Sequence, residues 1–162
     1  VNKAKAIAQL YAELPAIECK GKCSDSCGPI EMTKTEGKTL KKRLGHRVAV
    51  CGDDLKCPML TPAGWCSVYS DRPAICRLWG IADPMICPHG CVPEGGHWSR
   101  AKGFAWLQAI YTVDGDGDME RAFAEQVDTR PAWFKSAQRA AMVSHFSNGG
   151  SLGDWLDAHK PT

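Results

Sequence analysis

Cysteine is this chain's chemical resource: all nine cysteines lie between Cys19 and Cys91. A thiol can bind a soft metal, enter a disulfide or attack as a thiolate, and spacing and setting decide which. Cys19, Cys23 and Cys27 form the first group, spaced C-x3-C-x3-C among glycine, serine and lysine. In a loop, the glycines let the backbone fold so that several sulfurs converge; in a helix, the same spacing stacks the thiols on one face. Cys57, Cys66, Cys76, Cys87 and Cys91 form the second group, in a stretch broken by Cys57-Pro58, Pro62-Ala63-Gly64, Asp71-Arg72-Pro73, Asp83-Pro84 and Pro88-His89-Gly90. Such a stretch makes few regular ladders and needs a cross-link. Metal binding supplies folding free energy on the order of 10 kcal/mol for structural zinc. These eight residues are the expected metal ligands. Cys51 follows the apolar Val48-Ala49-Val50 and reads as a buried free thiol.

The spacings choose among the chemistries. Full disulfide pairing of nine cysteines leaves one thiol over, which counts against a secreted disulfide framework. No C-x2-C pair occurs, so the spacing departs from a zinc knuckle and leans toward an iron–sulfur cluster of the [4Fe–4S] type, with zinc the other cofactor. Arg72 and Arg77 flank Cys76 and are expected beside the cofactor, hydrogen-bonding carbonyls or offsetting the negative charge of clustered thiolates. His89 lies between Cys87 and Cys91, close enough to ligate, yet it reads as a solvated histidine; His46 and His97 are weaker candidates. The expected function is a cluster- or zinc-binding protein whose centre is structural, regulatory or redox-active. The alternative is a zinc-stabilised module that binds protein or nucleic acid without catalysis. Whether the chain is an enzyme stays open, because neither a nucleophile–base pair nor a phosphate-binding or dinucleotide glycine loop is legible.

Three runs carry a family resemblance: Cys57-Pro58-Met59-Leu60, Gly64-Trp65-Cys66-Ser67-Val68-Tyr69 and Arg72-Pro73-Ala74-Ile75-Cys76-Arg77-Leu78-Trp79. They resemble the signature of the YkgJ-type cysteine-cluster family, described as a zinc- or iron-chelating domain and also seen in flagellin lysine-N-methylase-like proteins. The likeness is close over residues 57–87 and loose over 19–27, where the family has an adjacent cysteine pair and this chain has none. It implies a metal or [4Fe–4S]-like centre held by Cys23 or Cys27 with Cys57, Cys66, Cys76 and Cys87. It implies no particular reaction.

The elements that must position these residues are mainly helical. Ile7, Leu10, Tyr11 and Leu14 recur at helical steps over residues 3–14, with Asn2 to cap and Pro15 to stop. Thr33 with Glu36 has the form of a capping box for a short basic helix ending at Gly45. Residues 47–51 suggest a short strand. Phe104, Leu107, Gln108 and Tyr111 mark an amphipathic helix over 101–113. Further helices are expected over 120–127, from Pro131 to about Phe146, and after Ser151 with Leu152, Trp155 and Leu156. The fold class is therefore mostly α with irregular cysteine-rich loops: a small metal- or cluster-stapled domain packed on a C-terminal helical part. Residues 1–98 form the cysteine-rich region with its N-terminal helix and 99–162 the helical region, packed as one unit.

Bulk properties exclude several classes. A net charge of +2 gives no electrostatic case for nucleic acid, and the run Lys38, Lys41, Lys42, Arg43, His46, Arg47 has no interleaved aromatics for stacking. No apolar run reaches membrane-spanning length, and the N-terminus does not read as a secretory signal, so a cytoplasmic setting is expected. A protein partner is compatible with the reading. Asp114, Asp116, Asp118 and Glu125 mimic a calcium loop, but Met119 stands where glycine makes the sharp turn, so an acidic interhelical turn is expected rather than a calcium site.

Overall fold

The computed structural model describes residues 2–48, 54–115 and 138–159. Its chain divides into two compact units, Pro15–Gly103 on one hand and Val1–Leu14 with Phe104–Thr162 on the other. The N-terminal helix thus belongs with the C-terminal helices. Among the described residues the regular structure is helical, with three isolated β-bridges and no sheet. None of the described helices is long and apolar enough to cross a membrane.

In the first-named unit, helix α2 runs Lys34–Leu44 and the short helix α3 Ala74–Leu78. The capping box forms as the sequence requires: the Thr33 hydroxyl accepts the Glu36 N–H, and the Glu36 carboxylate accepts the Thr33 N–H at 2.8 Å. Gly45 ends the helix at φ 76°, a left-handed conformation that suits glycine. Glu36 has a second task. Its other oxygen accepts the Ala74 N–H at 2.6 Å, so one buried carboxylate fixes the starts of both α2 and α3. Residues 57–67 turn back on themselves: Thr61 donates to the Trp65 carbonyl, Ser67 to the Met59 carbonyl, and Leu60 bridges Cys66. Ile30, Leu40, Cys57, Met59 and Val68 close over one another as a small core.

The other unit holds α1 (Lys3–Ala12), α4 (Arg100–Asp114, which begins in the first-named unit), α5 (Arg139–Ser147) and α6 (Leu152–Ala158). Asn2 caps α1 through the Lys5 N–H, and Ala6, Ile7 and Leu10 form its buried stripe, packed on α5. Each fully buried Leu or Ile contributes about 1.5–3 kcal/mol. Helix α4 departs from the amphipathic expectation, for Ala105 to Asp114 is buried on every face. Several of its polar groups are met by other elements: Trp106 donates its indole N–H to the Leu10 carbonyl at 2.7 Å, Lys3 pairs with the buried Asp114 carboxylate at 3.0 Å, and Arg139 donates to the Thr112, Val113 and Asp114 carbonyls at the open C-terminal end.

Four expectations fall wholly or partly outside the described residues: the strand over 47–51 with Cys51, the helix over 120–127, the helix start at Pro131, and the calcium-like loop beyond Gly115.

Candidate functional site

The eight described cysteines, all of them free thiols, occupy three settings within the unit Pro15–Gly103. Cys27, Cys66 and Cys76 pack with buried Cys57 against the small core. The 57–67 turn delivers Cys57 and Cys66, α3 delivers Cys76, and the Cys57 N–H donates to the Cys27 carbonyl at 3.2 Å. This setting suppresses ionisation. Burial first, then the charges of Cys57 and other neighbouring thiols, push the Cys76 thiol up to about 12. Burial also raises Cys57 and Cys27, the latter with a further push from Cys23, Cys57 and Cys66.

The arrangement of the side chains overturns the metal expectation. Among the described residues no group of three or more Cys, His, Asp or Glu side chains could hold a metal ion. Cys19, Cys23, Cys27, Cys57, Cys66, Cys76, Cys87 and Cys91 therefore do not assemble into the expected zinc or [4Fe–4S] site, and a zinc-stabilised interaction module falls with it. The physical reason is geometric: a zinc or cluster site needs several donors converging on one point, and the described side chains do not converge in that way. The loops are held by this apolar packing and by Glu36 instead of by an ion. Arg77 donates to the Arg72 and Ser70 carbonyls at 2.8 and 2.6 Å; Arg72 donates to the Tyr69 carbonyl and lies over the Tyr69 ring at 3.7 Å. Both arginines brace the turn that leads into α3.

The second setting is the loop of Cys19 and Cys23. Cys19 is exposed, and its sulfur accepts the Gly21 N–H at 3.3 Å. Gly21 has φ 64°, and a methyl group there would run into the Trp65 ring. Glycine is required on both counts.

The third setting is the turn Cys87-Pro88-His89-Gly90-Cys91. The Gly90 N–H donates to the Cys87 carbonyl at 3.2 Å, a β-turn with proline and glycine at positions that favour it. Hydrogen bonding from the Cys91 and His89 backbones and from the Cys91 side chain acts to lower the Cys87 thiol. Desolvation acts to raise Cys87, but these hydrogen bonds and the charge of Lys20 outweigh it, and the thiol is lowered below its ordinary 9.0. Lys20 is held there by its own bond to the His89 carbonyl at 2.9 Å. Cys87 is half-buried and Cys91 only 5% exposed, so an accessible sulfur stands before a sheltered one. Beside them lies a cleft of about 550 Å³ lined by residues 16–18, 20, 90–92 and 94. His89 contributes backbone groups alone to these contacts, and His46 and His97 are exposed.

Lys20 was missing from the sequence-derived site. The signal available for the turn was Pro88 and Gly90 inside C-x3-C, but nothing local to Lys20 points to a turn nearly 70 residues away.

No family model, curated protein or solved structure matches the chain. The likeness to the cysteine-cluster family therefore rests on the motif residues alone.

Proposed function

We propose that the protein is a thiol–disulfide exchange protein, with Cys87 as nucleophile and Cys91 as the resolving thiol. The observation that carries this reading is the turn closed by the Gly90 N–H on the Cys87 carbonyl, which joins the accessible Cys87 to the sheltered Cys91 and has Lys20 held on it at the His89 carbonyl. Backbone donors and the Lys20 charge stabilise the Cys87 thiolate, the form that attacks.

The step is balanced within the two thiols and a substrate disulfide. Cys87 thiolate attacks one sulfur of R–S–S–R′, forming Cys87–S–S–R and releasing R′–S⁻. Cys91 gives up its proton to the released thiolate and attacks the Cys87 sulfur. The Cys87–Cys91 disulfide forms and R–S⁻ leaves, so the dithiol is oxidised by two electrons and the substrate reduced by two. The substrate class is an accessible disulfide of a protein or small thiol. A cytoplasmic setting fits a protein rich in free thiols. We also read residues 57–87 as a cysteine-cluster motif whose residues pack a loop core and hold no ion.

The test is turnover of a fluorescent glutathione disulfide in the presence of a dithiol reductant. Wild-type protein is expected to accelerate reduction of the probe, Cys87→Ser to abolish the acceleration, and Cys91→Ser to stop at a mixed disulfide on Cys87. Undiminished turnover by Cys87→Ser defeats the assignment.

A further inference from the structure

The segments that carry Cys19/Cys23 and Cys87/Cys91 run alongside each other in opposite directions. Ile17 and Pro93 form an antiparallel bridge, and the Glu94 N–H donates to the Ala16 carbonyl at 2.9 Å. These contacts bring residues 16–17 alongside 93–94, in the same strip of chain as Cys19 and Cys91. Two further contacts keep the segments together beyond the bridge. Lys20 Nζ donates to the His89 carbonyl at 2.9 Å, and Ile17 reaches Gly80 beside the Cys87 Cβ. The half-buried Cys23 thiol lies within electrostatic reach of both the Cys19 and the Cys87 sulfurs. Cys19, at the outer end, is exposed and its sulfur accepts a hydrogen bond from the Gly21 N–H.

From this juxtaposition we infer that Cys19 and Cys23 are a second dithiol that receives the disulfide from Cys87/Cys91 and carries it to the surface. The inference rests on the exchange role given to Cys87 and Cys91 above. Its chemistry needs no further oxidant once that disulfide exists. Cys23 thiolate attacks the Cys87 sulfur, forming Cys23–S–S–Cys87 and releasing Cys91 thiolate, which takes up a proton. Cys19 thiolate then attacks the Cys23 sulfur and releases Cys87 thiolate. Two electrons have passed from Cys19/Cys23 to Cys87/Cys91, the inner pair is again reduced, and the outer disulfide faces solvent. An external thiol or dithiol reduces it there. Cys23 is the only member that reacts with both pairs, which matches its position between the exposed Cys19 and the Cys87 turn.

The experiment is a quenched time course on the full chain. Fully reduced protein receives one equivalent of oxidised glutathione, is acid-quenched, alkylated and mapped by mass spectrometry. Cleavage after Lys20 and Lys22 puts Cys19 and Cys23 on different peptides, so their disulfide appears as a linked pair, while Cys87 and Cys91 stay on one peptide. The expected course is early Cys87–Cys91 disulfide, decaying as Cys19–Cys23 rises. Cys87→Ser is expected to slow the outer disulfide at least tenfold, and Cys19→Ser to accumulate the Cys23–Cys87 link. Cys87→Ala is measured beside Cys87→Ser so that a local effect of the serine hydroxyl is separated from loss of the sulfur. If Cys87–Cys91 forms but Cys19–Cys23 does not follow, or forms at the wild-type rate in both Cys87 variants, the relay is overturned and the inner dithiol stands. If Cys87 acquires neither glutathione nor a link to Cys91, the underlying exchange reading fails as well.

Discussion

The ionisation contrast between Cys87 and Cys76 yields a quantitative prediction about alkylation. At pH 7.5 a thiol raised from 9.0 to about 12, as Cys76 is, has its thiolate fraction cut by about 10³ relative to an unshifted one. Its thiolate is intrinsically more nucleophilic; with a Brønsted slope of about 0.45, three units return roughly 20-fold. The net deficit for Cys76 is then about 50-fold against an ordinary thiol, before steric shielding. Cys87, lowered below 9.0 by its hydrogen bonds and Lys20, gains thiolate at the same pH. Brief iodoacetamide pulses on native protein from pH 6 to 10, read peptide by peptide, should therefore show Cys87 labelled at least 50 times faster than Cys76 at pH 7.5. The rate for Cys87 should level off at a lower pH than that of a free thiol. Labelling of Cys76 at a comparable rate, or a Cys87 profile that levels off at a higher pH than that of a free thiol, would refute the electrostatic reasoning behind both sites.

Further perturbations follow from the same contacts. Lys20→Gln removes the cation beside Cys87 and should slow its alkylation several-fold at pH 7 while shifting the pH profile upward; Lys20→Arg should keep most of the rate. Glu36→Ala leaves the buried Thr33 and Ala74 N–H groups without their acceptor and should lower stability by about 2–4 kcal/mol in denaturant titration, with Cys87 alkylation in the folded protein unchanged. Trp106→Phe takes the indole donor from the Leu10 carbonyl and should cost on the order of 1–3 kcal/mol by the same measurement. Stability should also fall at alkaline pH. Above 9 the unfolded Cys76 thiol ionises while the folded one keeps its proton up to about 12, so this contribution is intact below 9 and declines by at most about 1.4 kcal/mol per pH unit above it. Cys27 and Cys57, raised chiefly by burial, add in the same direction, and Cys87, lowered, opposes them. A flat denaturation midpoint between pH 9 and 11 would contradict this.

Local signals in the chain were legible and global ones were not. Asn2, the Thr33/Glu36 box, Gly45 and Ser151 each cap a helix through contacts within four residues, and all four are in place. The surroundings of α4 were not legible. The stripe of Phe104, Leu107, Gln108 and Tyr111 marks one face alone, yet every residue from Ala105 to Asp114 is buried. The cysteine pattern misled for a related reason. C-x3-C spacing is equally suited to converging ligands, packed thiols and a hydrogen-bonded dithiol, and the choice depends on what surrounds each sulfur. Met59, Val68, Ile30 and Leu40 around Cys57 make one setting apolar, while the backbone donors and Lys20 make that of Cys87 stabilising for a thiolate. Both environments are assembled from residues distant in sequence, so Cys27 and Cys87, each in a C-x3-C pair, end in opposite ionisation behaviour.

The most direct measurement of the central claim is a redox titration of the full chain in glutathione buffers, with the state of Cys87 and Cys91 quantified by mass after trapping. The account predicts a two-electron transition in which their peptide loses two hydrogens as an internal disulfide forms. Conversion of Cys87 to a stable glutathione adduct, with Cys91 remaining a thiol across the whole range, would contradict it.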